Sequence, residues 1–474
     1  MIGTWLLSLS ALSAAAWCWL NIPRYAKLLR HHLPAPEADA PEGATTDATE
    51  TEAAAAGDLP AVAILTPGRD EAEHLPTVLP ELCGQDYPRH TVVFVDDAST
   101  DATPQITAEL TERYDNLLVV RNDQPPPPGW MGKCWAIHRG YEALQNAERE
   151  ASDNAQRETR NAKRVIPNAE RKAENAEPPA ADLSIASEIP RSALPVPRST
   201  SPVPRSTFVP PASPITWLCF TDADIHWHPL LLRRAIAYCQ DHDADLLGLA
   251  PTLRFGSRLE ALVQLQLVLA LGLMLPYDAV TDPDSPRTLT GGAFILVRRS
   301  FYDQIGGHTA VKGEMVEDLK LGMALKAQGA RHRAALAGQL QWCRMYDGPA
   351  DLWEGLTKNA YAGFGHRWFL ALPACLLLLI TNVLPPVYLV VGIVGGARSP
   401  GDWRYPAAAL LAGLALLAQA RALNAVRRIL DLPPAWAWTT PPGSAAYLVI
   451  ILASVIQYHT TGNTWKGRRY RADH

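Results

Sequence analysis

The sequence has no pair of cysteines at CxxC spacing; its seven cysteines stand singly. That excludes a zinc ribbon and a disulfide framework, and it fits a reducing compartment in which buried thiols stay free. Nor is there a dominating block of Lys and Arg, and the net charge is −5. Nucleic acid is thereby excluded as the main partner, because phosphate contacts need clustered cations. What the chain has in quantity is hydrophobic residues, 48%, and proline, 40 residues. They are spread so unevenly over 474 residues that two or three units are expected.

Charge is missing altogether from the first 22 residues, MIGTWLLSLSALSAAAWCWLNI, a run long enough for one membrane crossing. Arg24, Lys27 and Arg30 follow it. A cleaved signal carries its positive charge ahead of the apolar run, so residues 1–23 read as an uncleaved anchor with the chain beyond them in the cytoplasm. Further on, 29 residues from Phe369 also lack charge, with Pro385-Pro386 as a break. They suffice for a kinked crossing or a helical hairpin. Two more apolar stretches start at Tyr405 and Ser444, so residues 368–474 are expected to form a transmembrane region of about three helices. The positive-inside bias pulls two ways here. ARALNAVRRIL, between the last two stretches, reads as a cytoplasmic turn, and that would put the basic TWKGRRYR segment on the opposite face.

Residues 34 to 60 contain seven acids and no Lys or Arg. With so few large apolar side chains, 24–59 reads as a flexible acidic linker. Residues 146–214 repeat Asn-Ala at near seven-residue intervals and then PRST twice, with almost no apolar seam. They read as a low-complexity disordered insertion, a short solvated helix in the first half being the alternative.

Without that insertion the sequence has an α/β rhythm. AVAILTPGRDE, TVVFVDDAST and TWLCFTDAD are apolar runs that each end in acids, as expected of buried strands. In open α/β sheets the carboxyl ends of the strands line the ligand crevice, so Asp70, Glu71, Asp96, Asp97, Asp222 and Asp224 are expected to face one cavity. Carboxylates gathered at one rim repel unless a divalent cation, ligand donors or a Lys neutralises them. In GEMVEDLKLGMAL, Glu317 and Asp318 open a helix that enters the core. Acids there also suit the helix terminus electrostatically.

Five motifs in order, TPGRDE, DDASTDAT, GKCWAIHRG, DAD and EMVED, resemble those of the family 2 glycosyltransferases with the GT-A fold. The match covers roughly 60–145 and 215–345. The N-terminal anchor, GGAFILVRRSFYDQIGG and TWKGRRY look like the membrane-bound branch of hopene-associated glycosyltransferases and ceramide glucosyltransferase. The resemblance implies an α/β GT-A domain over 60–145 and 215–367, with a Rossmann-like, mostly parallel mixed sheet. It also implies an integral protein of the cytoplasmic (inner) membrane whose catalytic domain is cytoplasmic.

On that resemblance Asp97, with Asp70 and Glu71 nearby, receives the uracil of a nucleotide-sugar donor, a UDP-sugar; Asp96 reads by its turn position as a turn cap. Asp224 and Asp222 hold Mg²⁺ or Mn²⁺ bridging the diphosphate, and Lys133 reaches the nucleotide or its phosphates. Asp318, beside Glu317, is the general base that takes a proton from the acceptor hydroxyl, giving inversion. The family's QxxRW motif is incomplete here, which leaves Arg344 or Lys358 to supply a cation at the leaving diphosphate. Residues 258 to 276 form either a core helix or one lying on the bilayer. Membrane segments on both sides of the domain point to a lipid hydroxyl, hopanoid or other, as acceptor. The alternatives are a processive polysaccharide synthase and a catalytically inactive, membrane-bound nucleotide-sugar-binding protein.

Overall fold

The computed structural model describes residues 33, 59–174, 214–274, 277–314, 316–465 and 468–470. The anchor at 1–23, the linker apart from Leu33 and Leu59, and the second part of the insertion lie outside the described residues.

Four apolar runs become strands buried on both faces: β1 (Ala61–Gly68), β2 (His90–Asp96), β4 (Ile215–Phe220) and β6 (Leu246–Ala250). With β3 (Leu117–Arg121), β8 (Ile295–Arg298) and β9 (His332–Leu336) they make a seven-stranded sheet in the order β3-β2-β1-β4-β8-β6-β9. Every pairing is parallel except those of β8, which runs antiparallel to β4 and β6. Continuous rather than alternating hydrophobicity is what a sheet covered on both faces requires.

The alternation survives in which cover each side chain meets. Val62, Ile64, Phe94, Trp217 and Cys219 pack under α1 (Leu75–Cys83) and α4 (Leu231–Asp241). Ala63, Leu65, Val93, Val95 and Phe220 pack under α3 (Gly132–Glu174) and α8 (Glu317–Ala327). The last glycine of GKCWAIHRG marks the closest approach of α3 to the sheet, since a Cβ on Gly140 would stand 2.6 Å from the Val95 side chain.

α3 does not stop at residue 146. It continues as helix to Glu174, which corrects the disordered reading for the first half of the insertion. The segment carries mostly good helix formers, and Pro167 is its one proline before that end. Glu148, about two turns beyond the buried Tyr141 and one beyond Leu144, accepts hydrogen bonds from Arg299 Nη1 (2.8 Å) and from Ile215 N (3.4 Å).

Beyond the sheet, β5 (Ile225–Trp227), β10 (Gln341–Cys343) and β7 (Thr252–Leu253) form a small second sheet. From its edge start α5 (Arg258–Met274) and α9 (Pro349–Ala362). The C-terminal part holds α10 (Trp368–Leu378) with a π-helical turn, α11 (Pro385–Arg398), α12 (Arg404–Ile429) and α13 (Thr440–His459). Two of these, α12 and α13, are long and apolar enough to cross a membrane. The α10–α11 pair, bent by 50° at its break, makes a third if it counts as one span. ARALNAVRRI, expected as a turn, is the last part of α12, with Arg427 and Arg428 in the final turn where cations favour the helix dipole. α5 is a buried connector: Leu265 and Leu269 meet Leu423 and Val426 of α12, and Val263 joins Ile450 and Ile451 of α13.

Candidate active site

The turns after β1 and β2 are tied to each other by their own acids. Asp70 adopts a left-handed backbone (φ 54°) that Asp tolerates. Its Oδ1 accepts the Thr100 amide at 2.7 Å, and that bond holds its carboxyl below the usual range. Asp96 accepts Ser99 N (2.8 Å) and Arg121 Nη1 (3.0 Å), and so caps the turn. Asp97 is buried, with Oδ1 accepting Asn122 Nδ2 at 2.8 Å. Glu71 is buried too, its amide donating to Thr103 Oγ1 at 2.9 Å.

The end of β4 faces the start of α8 across a small cavity. Lys133, on the first turn of α3, lies 2.7 Å from Asp222 Oδ1 and 2.8 Å from Glu317 Oε1. Burial opposes its charge, yet Asp222, Glu317 and Asp318 hold its pKa well above the usual lysine value. Asp318 is fixed by two backbone donors, Leu319 N to Oδ1 (2.7 Å) and Gly292 N to Oδ2 (2.8 Å). Burial, and then the charge of Glu317, push its pKa up to about 6. Asp224 is likewise pushed up to about 6, first by burial and then by Asp222 and Glu71. Gly292 donates to Asp318 and accepts the Asp222 amide at 2.8 Å. A Cβ there would fall 2.3 Å from Asp222 Oδ2, so only glycine lets the two acids approach this loop.

The two candidate cations separate. Lys358 sits on α9, half-buried, within electrostatic reach of Glu317, Asp222 and Asp318; burial, the largest influence, lowers its pKa. Arg344 turns instead to Glu260 on α5 (3.4 Å) and to Asp347 (3.1 Å), fastening β10 to the helix that follows β7. Two residues of the site, Asn122 and His308, carry no sequence signal of their own, and Gly292 has only its place in GGAFILVRRSFYDQIGG. Asn122 holds Asp97, and Gly292 bridges the acids. His308 lines the cavity, 2.7 Å from the Tyr302 hydroxyl and driven down to about 3 by burial, hence neutral. A single His after two glycines has no periodicity or partner spacing to mark it.

A carboxylate titrating near neutrality and held by two amides can take a proton from a hydroxyl. A lysine bonded to two acids one helix away can stabilise charge developing on an anionic leaving group. Asp224 suits a hard divalent cation, because it is a carboxylate oxygen donor raised in pKa first by burial and then by the nearby charges of Asp222 and Glu71. Among the described residues no three His, Cys, Asp or Glu surround a common point; Asp224 and Asp222 are the residues that would hold such a cation.

The family model described as "Glycosyltransferase like family 2" matches residues 60–344. The beta-monoglucosyldiacylglycerol synthase of Nostoc sp. is 38% identical over 78 residues, 16% of this chain and 17% of that protein. That of Synechocystis sp. is 37% identical over 75 residues, 15% and 16% of the two chains. The chain thus spans about one sixth of the length of the curated relatives it matches. Among solved structures, the mannosyltransferase PcManGT from Pyrobaculum calidifontis, in complex with GDP-Man and Mn²⁺, aligns over 95% of this chain and 99% of its own, with TM-score 0.43 and 15% identity.

Proposed function

The chain belongs to the glycosyltransferase-like family 2, and from that premise we propose that it transfers a sugar, with inversion, from a nucleotide-sugar to a lipid hydroxyl at a membrane surface. The observation that carries this is the fixing of Asp318 opposite Asp222 and Lys133 in one cavity. In the transfer, the acceptor oxygen attacks the anomeric carbon while the bond from that carbon to the phosphate oxygen breaks. Asp318 takes the hydroxyl proton, and the nucleoside diphosphate leaves with the electron pair. Lys133, with Lys358 beside the same acids, offsets the charge on the leaving oxygens. Asp97, braced by Asn122, receives the base, with uracil as the proposed partner. Asp224, with Asp222, would hold Mg²⁺ or Mn²⁺, which when bound neutralises the diphosphate.

The lipid acceptor rests on the apolar C-terminal helices and on the relatives' name, that of a synthase of a glucosylated diacylglycerol. The test incubates purified protein with labelled nucleotide-sugars and a total lipid extract. Label is expected in the organic phase. With Asp318→Asn it should fall by about 10²-fold or more while donor binding persists. Label found only in polymer or in soluble product would overturn the lipid acceptor, and near-normal turnover of the variant would overturn the base.

A further inference from the structure

A helix that crosses a bilayer puts its ends on opposite faces of a hydrocarbon layer about 30 Å thick. α13 is long and apolar enough to do so, yet both of its ends meet elements of the catalytic-domain face. Before it starts, α12 has already brought the chain back: Leu423 and Val426 meet Leu265 and Leu269 of α5, and Leu430 packs against the core beneath the sheet. At the start of α13, Gly443 is pressed on α5 so closely that a Cβ would stand 2.7 Å from the Leu262 carbonyl oxygen. Ser444 Oγ donates to Gln266 Oε1 of the same helix at 3.2 Å. Ser454, farther along, donates to Thr357 O and accepts Tyr361 N (3.1 Å), both on α9, the helix that carries Lys358. At the end, His459 Nε2 is 3.3 Å from the Tyr361 hydroxyl, and Tyr458 stacks on His366 with ring centroids 4.2 Å apart. His366 lies just ahead of α10, where the chain leaves the domain.

The faces of α13 divide accordingly. Gly443, Ser444, Ile450, Ile451 and Ser454 are buried against protein. Val449, Leu452 and Ile456, spaced by three and four residues, are 55%, 38% and 62% exposed. Beside them α10 exposes Trp368, Phe369, Leu372 and Leu376. One face bonded to protein and the other apolar and open is the geometry of a helix lying in the membrane interface. We propose that α13 does not cross the bilayer but lies along the leaflet on the catalytic domain's side, with the Val449, Leu452 and Ile456 stripe immersed in it and α10 alongside. The arrangement also reconciles the charge pattern. With α13 in the plane, the Arg468–Tyr470 strand that follows it stays on the side of the basic end of α12, as the positive-inside bias asks.

The test uses the full chain in sealed membrane vesicles and does not depend on transfer activity. Six native cysteines are buried among the described residues, and Cys18 is replaced by Ser. Thr461→Cys is expected to react with a membrane-impermeant maleimide from the same side as Asp241→Cys at the exposed end of α4. Reaction from the opposite side would overturn the proposal. Spin labels at positions 449, 452 and 456 are expected at one shallow depth. A crossing helix would instead separate 449 from 456 by about 10 Å in depth. That gradient, or absence of lipid contact because another protein or a second copy covers the stripe, would equally overturn it.

Discussion

Asp318 draws its chemistry from its neighbours. Its pKa of about 6 reflects burial first and Glu317 second, while Lys133 pulls the other way. The proposed base must be ionised, so kcat/KM should rise with pH through about 6 and level off above it. Glu317→Gln removes a raising charge and leaves Lys133 with one acid partner fewer. Both changes lower the pKa of Asp318, and the acid limb should move to lower pH; a limb that stays or moves up would contradict this account. Asp224 and Asp318 also bind protons more tightly folded than unfolded. Their contribution to stability is therefore present below pH about 4 and lost as pH rises through about 6. A cation at Asp224 binds the ionised form, so Mn²⁺ should raise the melting temperature more at pH 7.5 than at pH 5. Asp224→Ala should abolish that difference, read by intrinsic tryptophan fluorescence.

At the scale of elements, α3 joins two unlike halves. Its first turns are core, with Cys134, Ala136, Ile137 and Leu144 buried and Lys133 delivered to the acids. Glu148 is its last described side chain with a tie to the domain, and that tie reaches Arg299 and the start of β4. Deleting 152–212 behind a short Gly-Ser bridge should leave both activity and thermal stability near wild type, because Glu148 and Ile215 already stand side by side and loop closure is cheap. Deleting 146–214 removes Glu148 as well, leaves the half-buried Arg299 short of an acid partner, and should cost about 1–3 kcal/mol in unfolding experiments.

For the whole molecule, the arrangement of layers bears on the acceptor. The sheet carries the acids, α9 brings Lys358 to them, and α13 lies behind α9, bonded through Ser454. An acceptor dissolved in the leaflet beside α10 and α13 would meet the site without leaving the membrane surface. We expect a long-chain alcohol in vesicles to be glycosylated far faster than a short, water-soluble analogue at equal total concentration, as measured by labelled product per unit time. Equal rates would remove the reason to place the site over a bilayer.

The linear pattern of residues marked the strands, because short apolar runs that end in acids fit a doubly covered sheet. It also determined that acids gather at their carboxyl ends, since parallel connections bring those ends to one edge. The motifs marked Lys133, Asp222, Asp224, Glu317 and Asp318, and tertiary contact then brought Lys133, Asp222, Glu317 and Asp318 round one cavity. Only the tertiary structure separates Arg344 from Lys358, because Glu260 lies within reach of the first and the acids of the cavity within reach of the second. Asn122 and the bridging role of Gly292 were invisible for the same reason: each acts through a neighbour remote in sequence. The course of α13 was undecided as well. Length and hydropathy are properties of a segment alone, whereas crossing or lying flat depends on what its two ends touch.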